Sequence, residues 1–338
     1  MRKNEYISRP IIGAIAAIIG LVLLAVAMAA SISLGAADVG FKTVWQAVFA
    51  FDPTLTEHQI IQELRIPRSV AAALVGACLA ISGAIMQGMT RNPLASPSIL
   101  GLTDGSTLAI AIAFAFIPGI SFLQTMFMSF AGAGVAAALV FSIVFLAKGQ
   151  LSPVKLALAG VAIGALLDSL ATGIAIHFQV AQHVSFWYAG GVAGTNWTQI
   201  QFLVPVFLLG LFLSLFIARS ITVLSLGDEV AVGLGQRTFF VRIVAILAVL
   251  LLTGAAVSVA GAVGFVGLII PHVTRFLVGV DYRVVLPCSA VFGALLLVLA
   301  DIGSRMVNPP FETPIGAITA LVGVPFFLYL ARRDRRGL

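Results

Sequence analysis

Few residues in this 338-residue chain have types and spacing suited to chemistry. Asp168 lies beside Ser169 and Thr172, with His177 further along the same apolar stretch. A carboxylate and an imidazole inside such a stretch suggest either a proton relay or a group that is hydrogen-bonded between helices or faces an aqueous cavity; the relay is the less favoured reading. Asp301 and Arg305 are one helical turn apart and can pair, with Glu312 placed to join them beyond Asn308-Pro309-Pro310. Cys78 and Cys288 sit far apart in apolar runs, without metal-ligand or redox spacing, and read as small core residues. No GxxxxGK[ST] phosphate loop, HExxH pair, clustered histidines or nucleophile–base spacing occurs, so the chain is expected not to be an enzyme. It is expected to carry no cofactor of its own.

The surroundings of these residues explain the scarcity. Apolar residues make up 60% of the chain and charged residues 9%, and mean hydropathy is +1.12. A soluble domain carries roughly a quarter charged residues, so too little polar surface remains to face water. The solvent is lipid. Long continuous apolar stretches, not ~10-residue alternating segments, select helices over a barrel. The net charge of +6 reads as cytoplasmic flanking charge, not as nucleic-acid binding.

Spans of about 20 residues fall at 11–34, 68–89, 98–117, 122–147, 154–178, 199–218, 239–257, 260–278, 285–303 and 314–331. The expected fold class is therefore all-α, a single transmembrane domain over 1–338 with ten helices and both termini cytoplasmic. With that orientation only Lys42, Arg65, Arg68 and Arg305 of the 19 basic residues lie outside. The stretch 11–30 reads as a retained first helix. The segment 257–271 reads as a tight external turn, since one broken helix there makes the count odd and spoils the charge split. Gly76, Ala77, Gly83, Ala84, Pro93 and Gly101 match Gly254, Ala255, Gly261, Ala262, Pro271 and Gly279 at a fixed offset of 178. That pattern suits an inverted repeat or the composition of Gly-rich membrane helices.

Two loops stand out. Residues 219–238 hold Leu226-Gly227-Asp228-Glu229, Ala231 and Leu234-Gly235. Two acids and an apolar stripe bounded by glycines suit one or two short helices lying across the membrane face. Surface anchors are rich in Lys and Arg, whereas this segment is acidic, so docking of a soluble partner is the favoured reading. Asp228→Lys is expected to stop transport while leaving the fold intact. The second loop, Gln87 to Pro97, holds Pro93 and Pro97, which disfavour helix at Asn92 and Ser96 and fix a non-helical inner mouth. Phe186-Trp187-Tyr188 suit an interfacial belt or a cargo contact.

These segments, with Arg65-Ile66-Pro67-Arg68, Gly264-Phe265-Val266-Gly267-Leu268 to Arg275, and Pro314-Ile315-Gly316 to Phe327, resemble the permeases of iron–siderophore, haem and cobalamin ABC importers, the FecCD-type transmembrane subunits. The resemblance covers nearly the whole chain, in order. It implies a type II importer permease in a bacterial plasma membrane, paired with a second permease subunit. It also implies cytoplasmic ATPase subunits that bind ATP and Mg, and an extracytoplasmic substrate-binding protein. Leu226, Gly227, Asp228, Glu229, Ala231, Leu234 and Gly235 match the ATPase-coupling helices. Arg65, Arg68 and Arg305 match external arginines that receive acids of the binding protein. Asn92 and Leu94 match the cytoplasmic gate, with Pro153 and Val154 in a neighbouring gate loop that departs from the small polar pattern of the cobalamin permease. Ferric siderophore leads as cargo, with haem or cobalamin as alternatives. The reading from another class is a proton-coupled secondary transporter using Asp168 and His177.

Overall fold

The computed structural model describes residues 10–34, 40–146, 153–309 and 311–334. In chain order the helices are α1 (Pro10–Ser33), α2 (Phe41–Phe49), α3 (Thr56–Ile60), α4 (Ile66–Thr90), α5 (Leu102–Phe116), α6 (Phe122–Leu146), α7 (Pro153–His177), α8 (Ala181–Ala189), α9 (Trp197–Ser225), α10 (Asp228–Gly233), α11 (Thr238–Ala260), α12 (Val266–Val278), α13 (Tyr282–Met306) and α14 (Ile315–Asp334). A π-helical turn (Ile61–Arg65) joins α3 to α4, and a 3₁₀ turn (Pro97–Leu100) precedes α5. Among the described residues there is no strand.

Each of the ten expected segments contains one apolar helix. Among the described residues seven helical stretches are long and apolar enough to cross a bilayer, while Leu102–Phe116, Val266–Val278 and Ile315–Leu328 are shorter. The segment 257–271 resolves as a turn: α11 stops at Ala260, Gly261 (φ 66°) and Phe265 (φ 68°) take left-handed backbone, and α12 begins at Val266. The expected span 260–278 is thereby shortened at its start. At the 178-residue offset some matches share a setting: Gly76 and Gly254 lie inside helices, and Gly101 and Gly279 sit at helix ends with positive φ, whereas others do not. The same offset pairs Pro93, in a turn, with Pro271, inside α12, and Gly83, in mid-helix, with Gly261, at a helix end.

α4 is the buried centre, packed against α13, α11, α12 and α9. Lipid is as apolar as the side chains, so helices here associate through close backbone approach, not hydrophobic transfer. Glycines set those crossings. A Cβ on Gly76 would collide with Gly293 O, one on Gly83 with Gly267 O, and one on Gly105 with Gly132 O. α9 begins with a reciprocal cap in which Asn196 Oδ1 accepts from the Gln199 backbone N–H and Gln199 Oε1 accepts from that of Asn196. Cys78 and Cys288 are free and buried, as their surroundings suggested, and the Cys288 thiol points at Gly13 O (3.4 Å).

Candidate transport and coupling sites

One end of the bundle carries the three arginines expected to dock a partner. Asp301, fully buried on α13, accepts from Arg68 of α4 (2.8 Å) and pairs with Arg305 one turn along (2.9 Å). Arg68 also binds Glu312 (2.6 Å), whose carboxylate is 45% exposed. Glu312 thus joins the pair as the sequence suggested. Arg305 further donates to Ser31 O (3.0 Å), Leu34 O (2.8 Å) and Ser31 Oγ (2.8 Å), and Arg65 to Ile32 O (2.7 Å) and Ser33 O (2.9 Å). The last carbonyls of a helix have no partner within it and carry partial negative charge. Two guanidiniums satisfy them at the end of α1. All three arginines therefore hold α1, α4 and α13 together, a role that sequence reading missed because it needs two helices to meet.

The opposite end carries α10. Gly227 (φ 134°) and Gly235 (φ 76°) supply the left-handed backbone that lets the chain turn at each side of this helix. One short helix forms. Leu226, Val230, Val232 and Leu234 are exposed and apolar, Ala231 is buried, and Glu229 points outward. Asp228 does not. Its carboxylate turns back to Arg242 of α11 (2.8 Å), a residue only 5% exposed. The expectation that Asp228→Lys leaves the fold intact is thereby revised, because a lysine there faces a buried arginine. Asp228→Asn is expected to destabilise the 227–242 region by about 2 kcal/mol, and Glu229→Gln by less than about 0.5 kcal/mol. Hydrogen exchange of the α10 and α11 amides separates the two.

The turn expected to form the gate lies next to α10. α4 ends at Arg91 in left-handed backbone (φ 52°), and Asn92 Oδ1 accepts from the Leu94 N–H (2.9 Å). Asn92 and Ser96 are non-helical, as the prolines require. The Arg91 guanidinium comes 3.6 Å from where a Cβ on Gly227 would stand. A cavity of about 190 Å³ opens between them, lined by Gln87, Pro93, Ser225 and Arg275, and the Arg275 guanidinium donates to Gln87 Oε1. Pro153 and Val154 open α7; their side chains and Ser152 lie outside the described residues.

Between the two ends is a larger cavity of about 470 Å³. It is bounded by Ser96, Ser98, Thr103 and Asp104 on one side, Thr253 and Val257 of α11 on another, and Tyr188 of α8 and the Ala262–Phe265 turn. Non-helical backbone at membrane depth is tolerated where it lines such a space. Of the aromatic trio, Tyr188 reaches the cavity while Phe186 is 87% exposed. Asp104 was not singled out from the sequence, although an acid within the apolar segment 98–117 was the signal available.

Asp168 and His177 both lie on α7, nine residues apart. At 100° per residue they point to opposite sides of the helix, about 13 Å apart along its axis. Asp168 is exposed, and among the described residues no hydrogen bond ties it to another helix. His177 packs edge-on against Phe178. They form no relay.

Known proteins carry the same architecture. The chain is 60% identical over 334 residues to the iron(3+)-hydroxamate import system permease protein FhuB of Bacillus subtilis (strain 168), covering 99% of this chain and 87% of that one. It is 43% identical to the iron-uptake system permease protein FeuB of the same organism, covering 92% and 93%. A metal-chelate type ABC transporter solved in an inward-facing conformation superposes with a TM-score of 0.83 at 31% identity, over 94% of this chain and 98% of that one. The model of the FecCD transport family matches residues 23–333. The chain is a permease subunit, not an enzyme, of the multi-pass bacterial plasma-membrane type, and it belongs to the FecCD transport family.

Proposed function

We propose that this chain is the transmembrane subunit of an ATP-driven importer of ferric siderophores, with hydroxamates as the leading class because the similar FhuB permease is named for them. The ten apolar segments act as ten spans with both termini cytoplasmic, the orientation that leaves four of 19 basic residues outside. One observation carries the mechanism: the exposed apolar helix α10 abuts the gate turn through Gly227 and Arg91. An ATPase that seats Leu226, Val230 and Leu234 in a groove can move α10 by nucleotide-driven closure. The displacement passes to Asn92 and Leu94, opening the inner mouth beneath the larger cavity. The chain supplies no nucleotide site; ATP and Mg belong to the ATPase, and a second permease subunit completes the pathway. At the outer end, Arg68 docks the binding protein by exchanging its exposed partner Glu312 for an incoming carboxylate, while Asp301 remains as buried counter-ion. The bidentate fork of arginine suits that exchange.

The test is uptake by vesicles holding permease, ATPase and binding protein. Ferric trihydroxamate should enter only with ATP and binding protein, and should continue when an uncoupler collapses the proton gradient. Entry through the permease alone, or loss to the uncoupler with ATP preserved, overturns the proposal. Leu234→Asp, which alters an exposed side chain, should weaken ATPase binding by about 2 kcal/mol, roughly thirtyfold. Co-purification and unfolding temperature measured together show whether docking alone has changed.

A further inference from the structure

The larger cavity has an uneven chemistry. Asp104 is the one side chain of full charge on its wall, and among the described residues no arginine, lysine or histidine lines it. Asp104 is half-buried, and no cation pairs with it among the described residues. Its carboxylate is held in place: Gly164 of α7 has no side chain, and a Cβ there would collide with Asp104 Oδ2. Asp168 stands one turn further along α7, adding a second negative charge to the same flank. Thr253, 2% exposed, also borders the cavity, but its hydroxyl is buried away from that space.

From these residues we infer that Asp104 sets the charge preference of the cargo pathway, favouring cationic ferric chelates over anionic ones. The inference rests on the importer reading above. A half-buried carboxylate lacking a counter-ion is stabilised by whichever cation enters. A chelate with surplus carboxylates brings like charge into a space that, among the described residues, offers no guanidinium or ammonium to receive it. A neutral chelate meets neither effect.

The test uses one linear trihydroxamate ferric chelate in three forms that differ only at the terminal amine: free ammonium (cationic), acetylated (neutral) and succinylated (anionic). Uptake of each is measured in vesicles containing the whole transporter, for the native chain, Asp104→Asn and Asp104→Glu. The binding protein is common to all, so its own preference cancels between variants. Asp104→Asn should lower the cationic-to-anionic uptake ratio by at least about tenfold, the size expected of a unit charge acting over ~10 Å at an effective dielectric of about 20. Cationic uptake should fall more than neutral uptake, and Asp104→Glu should keep the native ratio. An unchanged ratio in Asp104→Asn, or equal loss of all three forms, overturns the charge role. Failure of the native complex to move any of the three with ATP overturns the importer reading instead.

Discussion

Replacing Asp301 with alanine is expected to destabilise the folded subunit by about 3–5 kcal/mol, read as a fall in the unfolding temperature of the protein in lipid nanodiscs. The carboxylate is fully buried and faces two guanidiniums, those of Arg68 and Arg305. Removing it leaves two cations close together with only the exposed Glu312 as counter-charge. Arg305 also caps the end of α1 through Ser31 and Leu34. A shift of Arg305 toward Glu312 would uncap those carbonyls, so the damage should spread to α1 and appear as faster hydrogen exchange there. Glu312→Gln is the contrast. Its carboxylate is 45% exposed, and a pair of that kind contributes about 1 kcal/mol or less. Equal costs for the two variants would show that the cluster is not what joins α1, α4 and α13.

The second large effect concerns backbone contact. Gly83→Ala should cost about 3 kcal/mol, because the new methyl group falls on the Gly267 carbonyl and a helix backbone cannot yield as a side chain tip can. Separating α4 from α12 also stretches the contacts of Gln87, whose amide donates to Gly267 O and Leu268 O (both 3.2 Å). Gly134→Ala in α6 tests the reasoning. Among the described residues nothing lies within 4 Å of its added Cβ, and alanine is the better helix former by about 1 kcal/mol. That variant should fold as well as the native chain or better. If Gly83→Ala matches it, close glycine contact is not what fixes the α4–α12 crossing.

How these sites became visible differs from one to the next. The two glycines around α10 and the acids after Gly227 marked a short solvent-facing helix, because turn chemistry is local and needs no distant partner. That Asp228 folds inward while Glu229 stays outside was not legible, since it depends on Arg242, fourteen residues on, arriving beside it. The same holds for the arginines. Their charge placed Arg65, Arg68 and Arg305 at one end of the molecule, but not in a network that caps α1.

The amino-acid order by itself determined the lipid-embedded helical class, the positions of the ten apolar segments and the glycine-bounded acidic loop. Hydropathy and backbone breakers act within about 20 residues, the length of one membrane crossing. Only the tertiary structure decided that Gly83 meets Gly267 and not its sequence match Gly261, that Asp168 and His177 point apart, and that Asp104 and Thr253 share a cavity. In a chain with 33 glycines many close crossings are sterically open. Which of them forms is settled when all the helices pack at once, and that choice is not written in any one segment.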